Sequence, residues 1–223
     1  MKNQITTLLF DLDGTILDTN ELIIRSFLHA LDGIVPAGFG AEQMIPIMGQ
    51  PLVTQLQKFS GLTEVSHLVP VYREYNLRMH DEMVKAFPHV DDVLGNLKRS
   101  GFKLGVVTTK MRLTTDRGLN LTGLERYMDS VVTLDDVTEA KPHPEPVLKA
   151  MAELKADPAS TLMIGDSPAD IGAAKAAGAI AVGVAWSLKG GQVLREYGAD
   201  HIIDDMRDLY ALVGLEREAF EKG

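Results

Sequence analysis

The amino-acid sequence predicts an open, parallel α/β sheet with an all-helical unit inserted near its start. Three observations carry that reading. Short continuous apolar runs recur along the chain, each giving way to a loop rich in polar residues, Gly or Pro. Runs that are apolar without alternation suit parallel strands buried on both faces. The later runs alternate with helix-like segments, as in a sheet built from strand–helix units. Between the first run and the second, in contrast, the chain from Leu17 to Pro88 shows only helical patterning.

The elements follow in order. Thr7–Phe10 (TLLF) is the first predicted strand, and Asp11-Leu12-Asp13-Gly14-Thr15 follows it. Asn20 is placed to N-cap a helix whose apolar stripe is Ile24, Phe27, Leu28 and Leu31, at i, i+3, i+4 and i+7. Asp32-Gly33 ends it. Further helical patterns cover 52–59 and 66–84. Pro88 marks the return, and 91–100 is the helix leading into a second strand, 103–108. Strands at 130–134, 161–164, 179–185 and 200–203 then alternate with helices at 112–120, 145–155, 169–177 and 192–197. The insertion is too long for a crossover, so residues 17–86 read as a helical cap. Residues 1–16 and 87–223 read as a Rossmann-like core. The charged end, 216–223, is expected to fray.

Composition narrows the function. With 45% hydrophobic and 24% charged residues, the 223-residue chain has the makings of a soluble globular core. A formal charge of −9 argues against a nucleic-acid partner, which needs a basic face. Any phosphate would have to be drawn in by a local cation. The absence of cysteine excludes disulfides and thiolate chemistry. The first apolar run is too short for a signal peptide, and the weakly polar stretch 176–186 is short and Gly-broken. The reading is a cytoplasmic protein without a membrane partner, its oligomeric state left open.

In open α/β sheets ligands bind beyond the carboxyl ends of the strands. The first strand presents Asp11 and Asp13 there. The second presents Thr108, Thr109 and Lys110. Lys141 in KPHPEP follows the third, and Gly165-Asp166-Ser167, with Asp170 four residues past Asp166, follows the fourth. Asp11, Asp166 and Asp170 offer the hard oxygen ligands that Mg²⁺ prefers. Lys141 supplies a fixed positive charge and Thr108 a hydroxyl. Amides of the Asp13–Gly14 turn can form an anion nest. That combination describes phosphoryl transfer, and an Asp can attack phosphorus covalently. A calcium loop is excluded, because it needs Gly sixth and Glu twelfth, whereas here Gly14 is fourth and Leu22 twelfth.

In order and spacing, DLDGT, VVTT, KPHPEP and GDSPAD resemble the four signature motifs of the haloacid dehalogenase superfamily of phosphatases. The helical insertion resembles that superfamily's C1-type cap. The resemblance implies Asp11 as a nucleophile forming an aspartyl-phosphate, and Asp13 as general acid, then base. It implies Thr108 and Lys141 holding the phosphoryl group. It also implies Mg²⁺ bound by Asp11, Asp166 and the Asp13 backbone carbonyl, and by Asp170 directly or through water. True dehalogenases of the superfamily lack the second acid, so Asp13 argues against that activity.

A closer resemblance, through LGVVTTK, VVTLDDVTEAKPHPEPVL and GVAWSLKGG, is to the PpaX-type family of bacterial pyrophosphatases. It implies hydrolysis of inorganic pyrophosphate. A small phosphomonoester such as phosphoglycolate is the alternative substrate, and a β-phosphoglucomutase-like phosphomutase a further one. A non-catalytic binding protein is disfavoured, since each catalytic position holds a suitable residue. Lys110 is a candidate contact to a second phosphate or a carboxylate. Gly49 and Gln50, in a break between cap helices, are candidate substrate contacts. His143 is read as supporting its loop.

Overall fold

In the computed structural model, which describes residues 4–216, β1 (Thr7–Phe10) leads into a short strand β2 (Leu17–Asp18). Four helices follow: α1 (Asn20–Ala30), α2 (Ala41–Met44), α3 (Leu52–Ser60) and α4 (Leu68–Met83). The chain returns through β3 (Lys85–Ala86). Alternation then begins: α5 (Val90–Arg99), β4 (Lys103–Val107), α6 (Arg112–Thr122), β5 (Ser130–Val132), α7 (Glu145–Leu154), β6 (Thr161–Gly165), α8 (Pro168–Ala176), β7 (Ile180–Val184), α9 (Gly191–Glu196), β8 (His201–Ile203) and α10 (Leu209–Val213). Residues 217–223 of the expected frayed end lie outside the described residues.

Six strands form one parallel sheet in the order β5-β4-β1-β6-β7-β8. All four residues of β1 are buried, which is why its run shows no alternation. Leu8 and Phe10 join the apolar cluster that contains Val93, Leu94 and Leu97 of α5. Leu9 joins the cluster on the other face, with Val147 and Met151 of α7 and Ile171 of α8. The chain moves outward from β1 through β4 to β5, then returns to build the other half from β6. The reversal opens a crevice at the carboxyl end of β1.

The inserted unit has an apolar centre of its own. Phe27, Leu31, Met44, Leu56, Phe59, Val65 and Leu68 cluster there. The Phe27 ring meets Phe59 edge-on at 4.9 Å and lies 4.7 Å from Tyr72. The buried Ser26 hydroxyl donates to the Leu22 carbonyl (2.7 Å) and accepts from Asn76 Nδ2 (3.1 Å), tying α1 to α4. On the core side, Arg117 of α6 donates to both Asp81 carboxylate oxygens (2.8 and 2.9 Å) and to the Leu77 carbonyl (2.9 Å).

Several local expectations are corrected. The stretch 17–86 is not all-helical: β2 and β3 pair antiparallel where the chain leaves and re-enters the core, with Leu17 opposite Ala86 and Asp18 opposite Lys85. Pairs that short carry no periodic signal. Asn20 does not cap α1; Thr19 holds that position, without a side-chain cap bond, and Asn20 turns to the crevice. Leu28 is 37% exposed, because α1 packs through Leu22, Ser26, Phe27 and Ala30 instead. The strand expected at 130–134 stops at Val132, where the Asp136 carboxylate accepts from the Thr133 amide (2.8 Å) and bends the chain into a tight turn.

Candidate active site

The sheet ladder runs one residue past the strands and delivers the chemistry at its end. The Asp11 amide donates to the Ile164 carbonyl (2.8 Å), and the Thr108 amide to that of Val132 (3.0 Å). Asp11, Thr108 and Asp166 therefore emerge side by side from β1, β4 and β6. Asp170 arrives from α8, whose first turn is fixed by Ser167 and Pro168. Ser167 donates to Asp170 Oδ2 from its hydroxyl (2.6 Å) and from its amide (3.0 Å). The helix packs close because residue 165 is Gly: a Cβ there would lie 2.3 Å from Asp170 Cβ.

Lys141 rises between these groups from a loop whose Lys141–Pro142 bond is cis. Its ammonium donates to Asp11 Oδ1 (2.8 Å), Asp170 Oδ1 (2.5 Å) and the Val107 carbonyl (2.7 Å), which accounts for all three donors. His143 supports the loop, its Nδ1 accepting from the Glu145 amide (3.2 Å).

Burial pushes the Asp11 carboxyl up to about 7; Lys141 opposes the shift, and Asp170 and Asp13 add to it. Burial, then Asp170 and Asp11, hold Asp166 well above the usual carboxylate range. Lys141 is pulled down by burial, but Asp11 and Asp170 outweigh that and leave it above its ordinary value. Carboxylate oxygens of Asp11, Asp166 and Asp170 lie within 4.8 Å of one another. Lys141 does not reach Asp166, whose carboxylate has no hydrogen-bond partner among the described residues. Three hard-oxygen donors that share a single lysine keep an excess of negative charge, which fits a cation of the Mg²⁺ kind.

Gly14 explains how Asp166 comes so close. Its φ is +81°, and a Cβ there would sit 2.5 Å from Asp166 Oδ2. One expectation for this turn, Gly14 as an anion contact, is corrected. The Gly14 amide donates to the Leu17 carbonyl (2.8 Å), so it is not free for an anion, and Gly14 does not line the crevice. The Asp13 carboxylate stands outside the acid cluster and accepts from Lys110 Nζ at 2.8 and 3.1 Å.

The crevice between the sheet and the inserted helices encloses about 270 Å³. Asp11, Asp13, Thr108, Thr109, Lys110 and Asp166 line it from the sheet side; Gly49 and Gln50 line it from the inserted unit. Thr108 accepts the Lys110 amide (3.1 Å), shaping the loop. The Gln50 side-chain oxygen is held by Lys58 Nζ (2.8 Å). Sequence reasoning missed the polar ceiling made by Asn20, Gln55, Tyr72 and Asn76. The i, i+4 spacing of Tyr72 and Asn76 was the available signal. Burial, then Asp13, raise the Tyr72 phenol, whose hydroxyl has no hydrogen-bond partner among the described residues.

The model of the haloacid dehalogenase-like hydrolase family matches residues 8–184. The chain belongs to that family. This hydrolase is 44% identical over 215 residues to pyrophosphatase PpaX of Bacillus velezensis, covering 96% of this chain and 98% of that protein. It is also 44% identical over 211 residues to pyrophosphatase PpaX of Anoxybacillus flavithermus, covering 95% and 98%. Among solved structures, a haloacid dehalogenase-like hydrolase from Bacteroides fragilis superposes with a TM-score of 0.84 at 30% identity, covering 92% of this chain and all of that one. The chain is thus an enzyme of the phosphatase class, with the family's Rossmann-like core. Among the described residues, no helix of this hydrolase is long and apolar enough to cross a membrane.

Proposed function

We propose that the chain is a Mg²⁺-dependent phosphohydrolase that works through an aspartyl-phosphate, with inorganic pyrophosphate as substrate. The observation that carries the substrate is the placement of two lysines. Lys141 lies against the nucleophile, and Lys110 stands on the crevice wall beside Asp13. That offers one cation for each phosphoryl group. The relatives named PpaX, similar over nearly their whole length, support the same reading.

In this reading residues 17–86 form a cap that moves on the β2–β3 ribbon. Mg²⁺ held by Asp11, Asp166 and Asp170 would neutralise charge on the transferring group. Asp11 attacks phosphorus while the bond to the leaving phosphate breaks, and Lys141 keeps Asp11 ionised and aimed. Lys110 exchanges Asp13 for the second phosphoryl group, which frees Asp13 to carry a proton. Asp13 gives that proton to the leaving oxygen, then takes one from the water that cleaves the aspartyl-phosphate. Thr108 donates its hydroxyl to the phosphoryl oxygens.

One observation favours a second reading. Gln55 Oε1 is buried beside the crevice without a partner, and an acceptor there suits a hydroxyl-bearing phosphomonoester. Comparing kcat/KM for pyrophosphate, phosphoglycolate and β-glucose 1-phosphate with Mg²⁺ decides between them. Pyrophosphate is expected to lead by about tenfold or more; a lead for either ester would replace the first reading. Asp13→Ala is expected to slow ester hydrolysis by about 10²-fold or more, and pyrophosphate hydrolysis by less, because phosphate leaves with less need of a proton. Equal losses would remove Asp13 from the acid role.

A further inference from the structure

We propose that Lys189 is a positioning residue through which the state of the acid cluster sets how firmly the cap loop seats on the core. The inference rests on the Mg²⁺ reading above and assigns a role to a residue outside the four motifs.

Lys189 belongs to a tight turn after β7, closed by the Gly190 amide donating to the Ser187 carbonyl (2.9 Å). That turn hangs on the metal-binding segment itself. The Ser187 hydroxyl donates to the Asp166 carbonyl (2.6 Å) and accepts from the Lys189 amide (3.1 Å). From there the Lys189 ammonium reaches the inserted unit and donates to the Met48 carbonyl. The next cap residue, Gly49, has φ +93°; a Cβ there would lie 3.1 Å from Ser167 Cβ and 3.8 Å from Lys189 Nζ. The cap backbone therefore rests on the first turn of α8, with Lys189 beside the seat.

The ammonium also feels the cluster. Among the charges acting on it, Asp166 is the strongest, followed by Asp170 and Asp11. One cation thus holds a cap carbonyl while it lies in the field of three carboxylates. A divalent ion on those carboxylates repels Lys189 and biases it toward Met48. By reciprocity, Lys189 weakens binding of that ion. Seating of the cap loop then follows loading of the cluster.

The test compares the wild-type chain with Lys189→Met and Lys189→Arg in two measurements that need no turnover. Hydrogen exchange at the amides of residues 47–50 is expected to slow with Mg²⁺ in the wild type. In Lys189→Met it should be about fivefold faster and indifferent to Mg²⁺, and Lys189→Arg should restore the wild-type response. Calorimetric titration should show Mg²⁺ binding Lys189→Met about threefold more tightly, since a like charge is gone. A merely structural lysine would loosen the loop and weaken the metal together. Unchanged exchange in Lys189→Met, or weaker Mg²⁺ binding, overturns the proposal. Should that variant fail to fold, Lys189→Gln carries the same comparison. Absence of Mg²⁺ binding in the wild type would instead sink the earlier reading.

Discussion

Asp11→Asn is expected to abolish turnover of every phosphorylated substrate, by about 10⁴-fold or more. A carboxamide cannot form the acyl phosphate, and no neighbouring group can take over. Asp170 is locked to Ser167 and Lys141, and Asp13 is paired with Lys110. The variant should nevertheless fold well. Burial raises the Asp11 carboxyl to about 7 against the opposing pull of Lys141, so the folded chain holds this proton more tightly than the unfolded chain does. The sign follows: an acid raised in the folded state costs stability as pH climbs from its unfolded value toward 7, and the loss persists above. A neutral Asn avoids that loss, so in EDTA at pH 8 the variant should melt no lower than the wild type. Mass spectrometry of acid-quenched enzyme should find a phosphoryl adduct on the wild type and none on the variant. Retained activity in a well-folded Asp11→Asn protein would end the covalent mechanism.

Lys141→Ala should do the reverse to stability. Lys141 is 4% exposed, and its side chain joins Asp11, Asp170 and the Val107 carbonyl. Its removal leaves carboxylates buried without a counter-charge, at a cost of about 3–5 kcal/mol. Under the proposed mechanism turnover should fall by about 10³-fold, because Asp11 and the phosphoryl group would lose the same cation. Denaturant melts in EDTA and in Mg²⁺ check the account. The deficit should be largest in EDTA and shrink with Mg²⁺, which compensates the same acids. A deficit indifferent to Mg²⁺ would mean that the lost packing, not the charge, matters.

The parts of this site that were readable in the sequence share one property. Asp11, Thr108 and Asp166 each stand one residue past a buried apolar run, so topology alone carries them to a common edge. Lys141 and Asp170 lie on short segments between such runs. What escaped reading lacks that anchoring. Lys189 sits in a Gly-flanked turn without periodicity, and its partner is a backbone carbonyl 141 residues away. Gly14 reads as a nest residue until Asp166 is seen pressed against it. On α1, apolar residues at 24, 27, 28 and 31 fit one face, but the buried face takes in Ser26, whose hydroxyl bonds the carbonyl one turn back. A polar residue satisfied within its own helix is invisible to hydrophobic periodicity.

The β2–β3 ribbon has a consequence for the history of the chain. Leu17 and Ala86 are ladder partners, so the points where the insertion departs and returns are already neighbours. Everything between them can be lengthened, shortened or exchanged for another fold without moving β1 relative to β4. The entropic cost of closing the excursion grows only slowly with its length. The core is in this sense a socket, and its strand-end aspartates stay where the sheet puts them whatever is plugged into it.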